Sequence, residues 1–191
     1  MNPLRSHWMI EEGLTFLNHG SFGACPRVVL EEQSRLRAEM ECNPVRFLWR
    51  EIDGRLDHAR AELAAFIGAD AEDVAFVTNA TSAVNAVLRS LDLRPGDELV
   101  TTDHGYNACN NVLAEVARRA GAKVVIAHIP FPISAPEEAT AAVLAALTPR
   151  SLLLLLDHIT SPTALVLPVA QIVREAQARG VDVLVDGAHA P

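Results

Sequence analysis

Polar side chains that could bind a ligand or move a proton follow several apolar runs of the chain. The clearest is Asp186, which directly follows the β-branched run 181–185 and precedes Gly187. We expect this run to be a strand buried on both faces of a parallel sheet, and such sheets bind ligands at the carboxyl ends of their strands. Asp-Gly is also a common turn dipeptide, so a purely structural Asp186 is the alternative.

Three further segments place hydroxyls, imidazoles or carboxylates after a predicted strand. They are residues 79–82, 103–107 and 157–162, which follow the apolar runs 74–78, 98–102 and 151–156. The carboxyl ends of parallel strands meet at one edge of the sheet. The four polar segments are therefore predicted to line a single ligand crevice.

Residues 79–82 have the features of a phosphate-binding helix start. Unpaired backbone N–H groups, the positive end of the helix dipole and the hydroxyls of Thr81 and Ser82 suit an anion. A hydroxyl at this position commonly only caps the helix, which is the alternative. The sequence has neither the GxxxxGK[ST] loop of ATP sites nor the GxGxxG pattern of dinucleotide sites, so ATP and NAD are disfavoured.

The other segments suit a flat, basic ring. His104 and Tyr106 could each stack on a heteroaromatic ring, although a histidine at a strand end is commonly just hydrogen-bonded. Asp186 could pair with a protonated ring nitrogen, and His189 follows closely. Pyridoxal 5′-phosphate requires this combination: a phosphate-binding site, a ring that stacks on the pyridine, and a carboxylate that pairs with the pyridinium nitrogen.

The elements that position these residues alternate between strand and helix. In addition to the four runs above, a strand is predicted at 123–129, and helices are predicted at 27–40, 52–67, 82–91, 107–120, 136–147 and 168–179. This order indicates a three-layer α/β/α fold with a mostly parallel sheet. We expect an N-terminal arm at 1–30 and the N-terminal portion of a large domain at 31–191, incomplete at its C-terminus.

Composition excludes several classes of partner. The 191 residues carry a net charge of −8 without a Lys/Arg cluster, so neither nucleic acid nor an anionic membrane is expected to bind. The three cysteines include no CxxC pair, which predicts no zinc site or disulfide framework and fits a cytoplasmic protein. Residues 1–12 lack the apolar core of a signal peptide, and the run 152–156 is too short to span a bilayer.

The polar segments resemble the class V aminotransferase family of fold-type I pyridoxal-phosphate enzymes. The resemblance lies in residues 78–85, 103–107, 158–162 and 185–190. The last of these, Val-Asp-Gly-Ala-His-Ala, is the most specific. Residues 16–23 and 43–47 are similar to the isopenicillin-N-epimerase-like branch, so the resemblance covers nearly the whole chain.

The resemblance implies a set of cofactor-binding residues. The phosphate would be held by Ala80, Thr81 and Ser82. His104 would stack on the pyridine ring, with Tyr106 as the alternative for that place or as a proton donor. Asp186 would bind the ring nitrogen, and the residues near the phenolic oxygen would be Thr160, Ser161 and His189.

The resemblance also implies a substrate side and a homodimer. Four residues of the Gly-rich segment would line the substrate: Asn18, His19, Ser21 and Phe22. Arg46 is a candidate for binding the substrate carboxylate, although an arginine in such a place is commonly ion-paired at the surface. The substrate implied is a small amino acid, and the dimer is expected by analogy with other fold-type I enzymes.

The motifs leave the reaction type open. An epimerase would remove the α-proton and return it from the other face, with His104 or Tyr106 as the second acid or base. A transaminase, a cysteine desulfurase or a C–S lyase would share every motif, and a non-catalytic phosphate-ligand-binding module is the alternative outside enzymes. The Schiff-base lysine of the family is expected beyond Pro191, because the sole lysine, Lys123, is predicted at the opposite sheet edge.

Overall fold

A computed structural model of the chain describes residues 3–190, and Met1, Asn2 and Pro191 lie outside that description. The chain divides into two compact units after Phe76. The boundary predicted after residue 30 falls inside a helix that spans Arg27–Cys42.

The first unit is helical. Its elements are a 3-10 turn at Pro3–His7, α1 at His19–Phe22, α2 at Arg27–Cys42, a π-helical turn at Arg46–Glu51, α3 at Ile52–Ile67 and a 3-10 turn at Ala71–Asp73. Arg55 on α3 pairs with Glu39 on α2 and with Glu51 on the π-helical turn. These ion pairs tie the two longer helices to the turn that connects them. The helix α3 ends at Gly68, whose φ of 72° is the left-handed conformation that favours glycine at a helix end.

The second unit contains all four strands of residues 3–190. Its elements in order are α4 at Ala80–Ser90, β1 at Glu98–Thr102, α5 at Asn107–Ala120, β2 at Lys123–Ala127, α6 at Pro136–Ala146, β3 at Ser151–Asp157, α7 at Val169–Gln177 and β4 at Asp182–Asp186. The sheet order is β2-β1-β3-β4, and every neighbouring pair is parallel. The predicted alternation of strands and helices is confirmed. Lys123 pairs with Glu98 at the amino ends of their strands, opposite the polar segments, as predicted.

Helices cover both faces of this sheet because successive side chains of a strand point to opposite sides. On β3, Leu153 and Leu155 pack with α4 and α5, whereas Leu154 and Leu156 pack with α6 and α7. Each fully buried leucine stabilises the fold by about 1.5–3 kcal/mol. The result is the predicted α/β/α arrangement, with its core on the two faces of β1 and β3.

The strand predicted at residues 74–78 is not present. The segment is extended near Val74, but it pairs with none of the four strands that the structure describes. Phe76 and Val77 are about half exposed. A β-branched run becomes a strand only where a neighbour accepts its backbone hydrogen bonds, and that requirement cannot be read from the run itself.

Burial of β4 on both faces was predicted and is wrong. Val183 and Leu184 are half-buried, and Val185 is 38% exposed. These side chains are partly exposed because β4 is an outer strand, which pairs only with β3 among the described strands. Its last residue, Asp186, is nevertheless 6% exposed.

None of the helices of residues 3–190 combines the length and the apolar character that a membrane-spanning helix needs.

Candidate cofactor site

Three strands of the second unit deliver polar groups to one edge of the sheet. Because the sheet is parallel, β1, β3 and β4 end at the same edge, at Thr102, Asp157 and Asp186. The loops that follow these strands contain the residues that the sequence singled out. The structure thus brings three of the four predicted polar segments to a common edge.

Asp186 is held in place by two donors. Its Oδ1 accepts a hydrogen bond from the Ala188 N–H at 3.1 Å, and its Oδ2 accepts one from the Cys109 thiol at 3.4 Å. Burial, and next the Asp186 carboxylate, raise the pKa of Cys109 to about 12, so this thiol stays protonated and remains a donor. The carboxylate at the end of β4 therefore has a fixed orientation on the face that α5 covers.

Asp157 lies beside Asp186. The two residues are register partners at the ends of β3 and β4, and each is 6% exposed. The Asp157 Oδ2 accepts a hydrogen bond from the backbone N–H of Tyr106 at 3.1 Å. Burial, and next the Asp186 carboxylate, raise the pKa of Asp157 to about 6, although the Tyr106 N–H and the charge of His189 act in the opposite direction.

His104 is buried and hydrogen-bonded through both ring nitrogens. Its Nε2 lies 3.0 Å from the Ile129 carbonyl oxygen, and its Nδ1 lies 2.7 Å from the Thr163 hydroxyl. A carbonyl oxygen only accepts, so Nε2 carries a proton, and in the neutral imidazole Nδ1 then accepts from the Thr163 hydroxyl. Thr160 lies 2.8 Å from Thr163 and accepts from the Leu165 N–H. His104 thus connects the loops that follow β1, β2 and β3.

Tyr106 has a different environment from His104. It precedes the first residue of α5, and its side chain is 43% exposed. The phenol is the more accessible of the two rings, whereas the imidazole is enclosed by three loops and packs at 5.9 Å from the Phe131 ring. Of the two residues predicted to contact the cofactor ring, Tyr106 is the more exposed.

The start of α4 has the geometry of an anion site. Asn79 is its cap: the Asn79 side-chain oxygen accepts from the Ser82 N–H at 2.8 Å, and its carbonyl accepts from the Ala83 N–H at 3.1 Å. The N–H groups of Ala80 and Thr81 come earlier in the helix than those two bonded groups, and they are directed out of the helix start. Since Asn79 supplies the cap, the hydroxyls of Thr81 and Ser82 are not needed for it.

The helix α4 lies on the same face of the sheet as α5. Val84 and Leu88 of α4 join Cys109 and Leu113 of α5 in one buried cluster. From Ser90 a short connection leads to the amino end of β1, so α4 runs antiparallel to the strands. Its start therefore faces the edge at which Asp157 and Asp186 end.

The remaining predicted cofactor residues lie in the loops at this edge. Ser161 is exposed in the loop after β3, and Thr160 beside it is buried in the His104 network. His189 is exposed in the loop after β4, where its charge acts on Asp157. The structure brings these loops together, and it gives Ser161 and His189 access to a ligand.

The predicted substrate residues all belong to the first unit. Asn18 precedes α1, and the three that follow lie within that helix and are exposed: His19, Ser21 and Phe22. The His19 ring packs edge-on against Phe16 at 4.7 Å. Arg46 is exposed and its Nε lies 3.2 Å from Glu51, so it is ion-paired within its own turn.

Comparison with known proteins identifies the family. Residues 18–190 match the sequence profile of the family described as Aminotransferase class-V. The chain belongs to the class V aminotransferase family. The predicted resemblance is thereby confirmed, and so is the cofactor, pyridoxal 5′-phosphate.

Two relatives in this comparison have different activities. The chain is 40% identical over 187 residues to isopenicillin N epimerase of Streptomyces clavuligerus, covering 98% of this chain and 47% of the relative. It is 34% identical over 190 residues to putative L-cysteine desulfhydrase 2 of Oryza sativa subsp. japonica, covering 91% of this chain and 40% of the relative. The chain thus spans about half the length, or less, of these relatives.

Solved structures agree on the fold. The cystine C–S lyase C-DES, in complex with cysteine persulfide, is 25% identical with a TM-score of 0.79, covering 93% of this chain and 48% of that one. A C-DES variant with glycine covalently linked to its PLP cofactor is 24% identical with a TM-score of 0.82, covering 96% of this chain and 49% of that one. The predicted fold-type I large domain is confirmed.

The residues at the sheet edge fit pyridoxal phosphate. The amides at the start of α4 suit its dianionic tail, and the Asp186 carboxylate suits its protonated ring nitrogen. Tyr106 offers an accessible aromatic face. These donors and acceptors lie on one face and at one edge of the sheet.

Sequence reasoning placed Asp157 in the polar segment 157–162 without giving it a role, and it missed Cys109. Asp157 ends β3 just as Asp186 ends β4, and that parallel was visible in the sequence. The role of Cys109 was not visible, because its contact with Asp186 joins residues that are 77 positions apart.

Proposed function

We propose that the protein, at the full length of the relatives above (hereafter the full-length protein), is a pyridoxal-phosphate enzyme that acts at the α-carbon of an amino acid. The observation that carries the proposal is the buried Asp186, fixed by Ala188 and Cys109 at the sheet edge that the start of α4 faces. Family membership supports the same cofactor. When bound, pyridoxal phosphate supplies an electron-withdrawing ring that stabilises negative charge at the substrate α-carbon.

Each residue of the site has a defined task in this proposal. The N–H groups of Ala80 and Thr81 and the Thr81 and Ser82 hydroxyls bind the phosphate. The Asp186 carboxylate accepts a hydrogen bond from the protonated ring nitrogen and holds that proton in place. Tyr106 contacts the ring, and His104 positions the three loops through its bonds to Ile129 and Thr163.

We infer that the reaction is an epimerisation in which a proton leaves the α-carbon and returns from the other face. The 40% identity with isopenicillin N epimerase supports this choice. Such a reaction needs one acid or base on each face of the α-carbon. In this proposal the Tyr106 phenol serves one face and a lysine of the full-length protein serves the other.

A C–S lyase or desulfhydrase is the second candidate. It is supported by the rice relative at 34% identity and by the similarity to C-DES. The substrate separates the two candidates, because a C–S lyase breaks a carbon–sulfur bond and an epimerase leaves every heavy-atom bond intact. The proposed homodimer is checked separately, by light scattering of the full-length protein.

The experiment begins with cofactor attachment. The full-length protein is incubated with pyridoxal phosphate, reduced with borohydride and analysed by peptide mass spectrometry. A cofactor adduct on one lysine supports the enzyme, and a protein without an adduct contradicts it in favour of a non-catalytic binding module. A second sample, loaded with pyridoxal phosphate but not reduced, is then given L-amino acids, including cysteine and cystine. Inversion on chiral chromatography supports the epimerase, and released sulfide supports the lyase.

A further inference from the structure

The two carboxylates at the ends of β3 and β4 lie side by side. Asp157 and Asp186 are register partners on neighbouring parallel strands, which lie about 4.8 Å apart. Both side chains reach the first turns of α5, because Asp157 accepts from the Tyr106 N–H and Asp186 accepts from the Cys109 thiol. The two groups therefore lie on the same face of the sheet, and both are 6% exposed.

Such a pair costs stability. Two like charges in a buried place repel each other, and each loses its hydration. The groups that face Asp157 are the Asp186 carboxylate on β4, the Cys109 thiol and Tyr106 amide of α5, and the exposed His189 after β4. Burial and these groups together raise the pKa of Asp157 to about 6. The neighbouring groups therefore do not balance the negative charge that Asp157 adds beside Asp186.

A purely structural role does not require that charge. The bond from the Tyr106 N–H needs only an acceptor oxygen, which a neutral asparagine would supply equally well. The carboxylate at position 157 instead adds negative potential beside Asp186. A cation bound at this edge would relieve the repulsion, and costly charges of this kind concentrate at functional sites.

We propose that Asp157 is a positioning residue of the cofactor site, whose negative charge beside Asp186 favours the protonated ring nitrogen of pyridoxal phosphate. This inference rests on the proposed function. Asp186 is hydrogen-bonded directly to the ring nitrogen. Asp157 strengthens this interaction through the negative electrostatic potential that it adds. The two carboxylates together form one anionic site.

The test is the affinity of the full-length apoprotein for pyridoxine 5′-phosphate, which has the ring nitrogen and the phosphate but forms no imine with a lysine. The probe is titrated by fluorescence against the wild type and Asp157→Asn. At pH 8 the variant should bind about tenfold more weakly, because it has lost one charge near the ring nitrogen. Asp182→Asn, which removes a charge from the exposed amino end of β4, is the control and should bind like the wild type.

The ratio of the dissociation constants of Asp157→Asn and the wild type is measured as a function of pH. Its pH dependence distinguishes a loss of charge from a structural defect in the variant. Titrations of the free probe are the same in both measurements and cancel in the ratio. Below pH 6 the wild-type Asp157 is itself protonated, so the ratio should shrink towards one at pH 5. A ratio of one at pH 8 overturns the proposal, and so does an equal loss at pH 8 and pH 5, because that reports a structural defect.

Failure of the proposed function has a different signature, since the wild-type apoprotein would then not bind the probe at any pH. If Asp157→Asn does not fold, the wild type provides the test through carbon-13 NMR of its aspartate carboxyls. The Asp157 titration midpoint near pH 6 should fall when pyridoxine 5′-phosphate binds, because a nearby cation favours the carboxylate. A midpoint that stays unchanged on binding overturns the proposal.

Discussion

His104 donates its Nε2–H to the Ile129 carbonyl oxygen across 3.0 Å, and this bond joins the loops after β1 and β2. Its other nitrogen accepts from Thr163 in the loop after β3. A single imidazole thus fixes the relative positions of three loops that form the sheet edge. This enclosed position distinguishes His104 from the accessible ring of Tyr106.

Loss of the imidazole should therefore destabilise the full-length protein. His104→Ala is expected to lower the free energy of unfolding by about 2–4 kcal/mol, because it leaves a cavity and removes two buried hydrogen bonds. Urea unfolding measures this change. His58→Ala, which removes an exposed histidine of α3, is the control. Equal stability of the two variants would contradict the positioning role.

The hydroxyl of Thr163 should contribute to the same network. Thr163→Val removes the donor to His104 and is expected to cost about 1–2 kcal/mol of unfolding free energy. Thr163→Ser keeps the hydroxyl and should remain close to the wild type. The comparison is made by urea unfolding, and a serine variant as unstable as the valine variant would show that the methyl group matters instead.

Asp157 should make the apoprotein less stable above pH 6. Its pKa is raised from 3.8 to about 6 in the folded state, so the folded protein binds more protons than the unfolded one between these values. Stability from this group is therefore fully present only below the unfolded pKa of 3.8, and it is lost as the pH rises through 6. Asp157→Asn should stabilise the apoprotein by about 2–3 kcal/mol at pH 8.

That gain should disappear near pH 4, where the wild-type Asp157 is itself protonated. Urea unfolding of both proteins at pH 8 and pH 4 measures the difference. A stability gain that is the same at both pH values would contradict the pKa assignment. A variant that is more stable but binds the cofactor less tightly is the trade-off typical of charges kept for function.

Strand and helix positions were largely predictable from the sequence because they depend on local periodicity. The helices α3 at Ile52–Ile67 and α5 at Asn107–Ala120 have the predicted bounds. Pairing depends on distant residues, and this is why the run 74–78 was predicted as a strand although it has no neighbour among the described strands.

The candidate site shows the same division between local and distant information. Asp186 was visible as a carboxylate at a strand end. The Asp157–Asp186 pair was not, because it requires β3 to lie next to β4 in the order β2-β1-β3-β4. The environment of His104 depends on Thr163 and Ile129, which belong to two other loops.

The buried thiol of Cys109 should resist alkylation. Its pKa of about 12 leaves almost no thiolate at pH 8, and it is 1% exposed. Cys25 and Cys42 are exposed and should react first. Iodoacetamide treatment of the native full-length protein, followed by peptide mass spectrometry, measures this order. Rapid modification of Cys109 would show that the contact with Asp186 is open in solution.

The proposed phosphate-binding site at the start of α4 can be tested with two ligands, one with a phosphate and one without it. Thr81→Val removes one hydroxyl from the start of α4 and should weaken pyridoxal phosphate binding by about tenfold, since a hydrogen bond to a charged group contributes about 1.5–3 kcal/mol. Pyridoxal, which lacks the phosphate, should bind the wild type and the variant equally. Weaker binding of both ligands would place Thr81 elsewhere in the site.

The role of Asp186 can be measured in the full-length protein loaded with pyridoxal phosphate. The rate at which the α-proton of L-amino acids exchanges with deuterium from the solvent is measured by NMR for the wild type, Asp186→Asn and Asp182→Asn. We predict that the wild type and Asp182→Asn exchange at the same rate. Asp186→Asn should be about a hundredfold slower, an increase in the barrier of about 2.7 kcal/mol. Exchange by Asp186→Asn at the wild-type rate would contradict the assignment of Asp186 to the ring nitrogen.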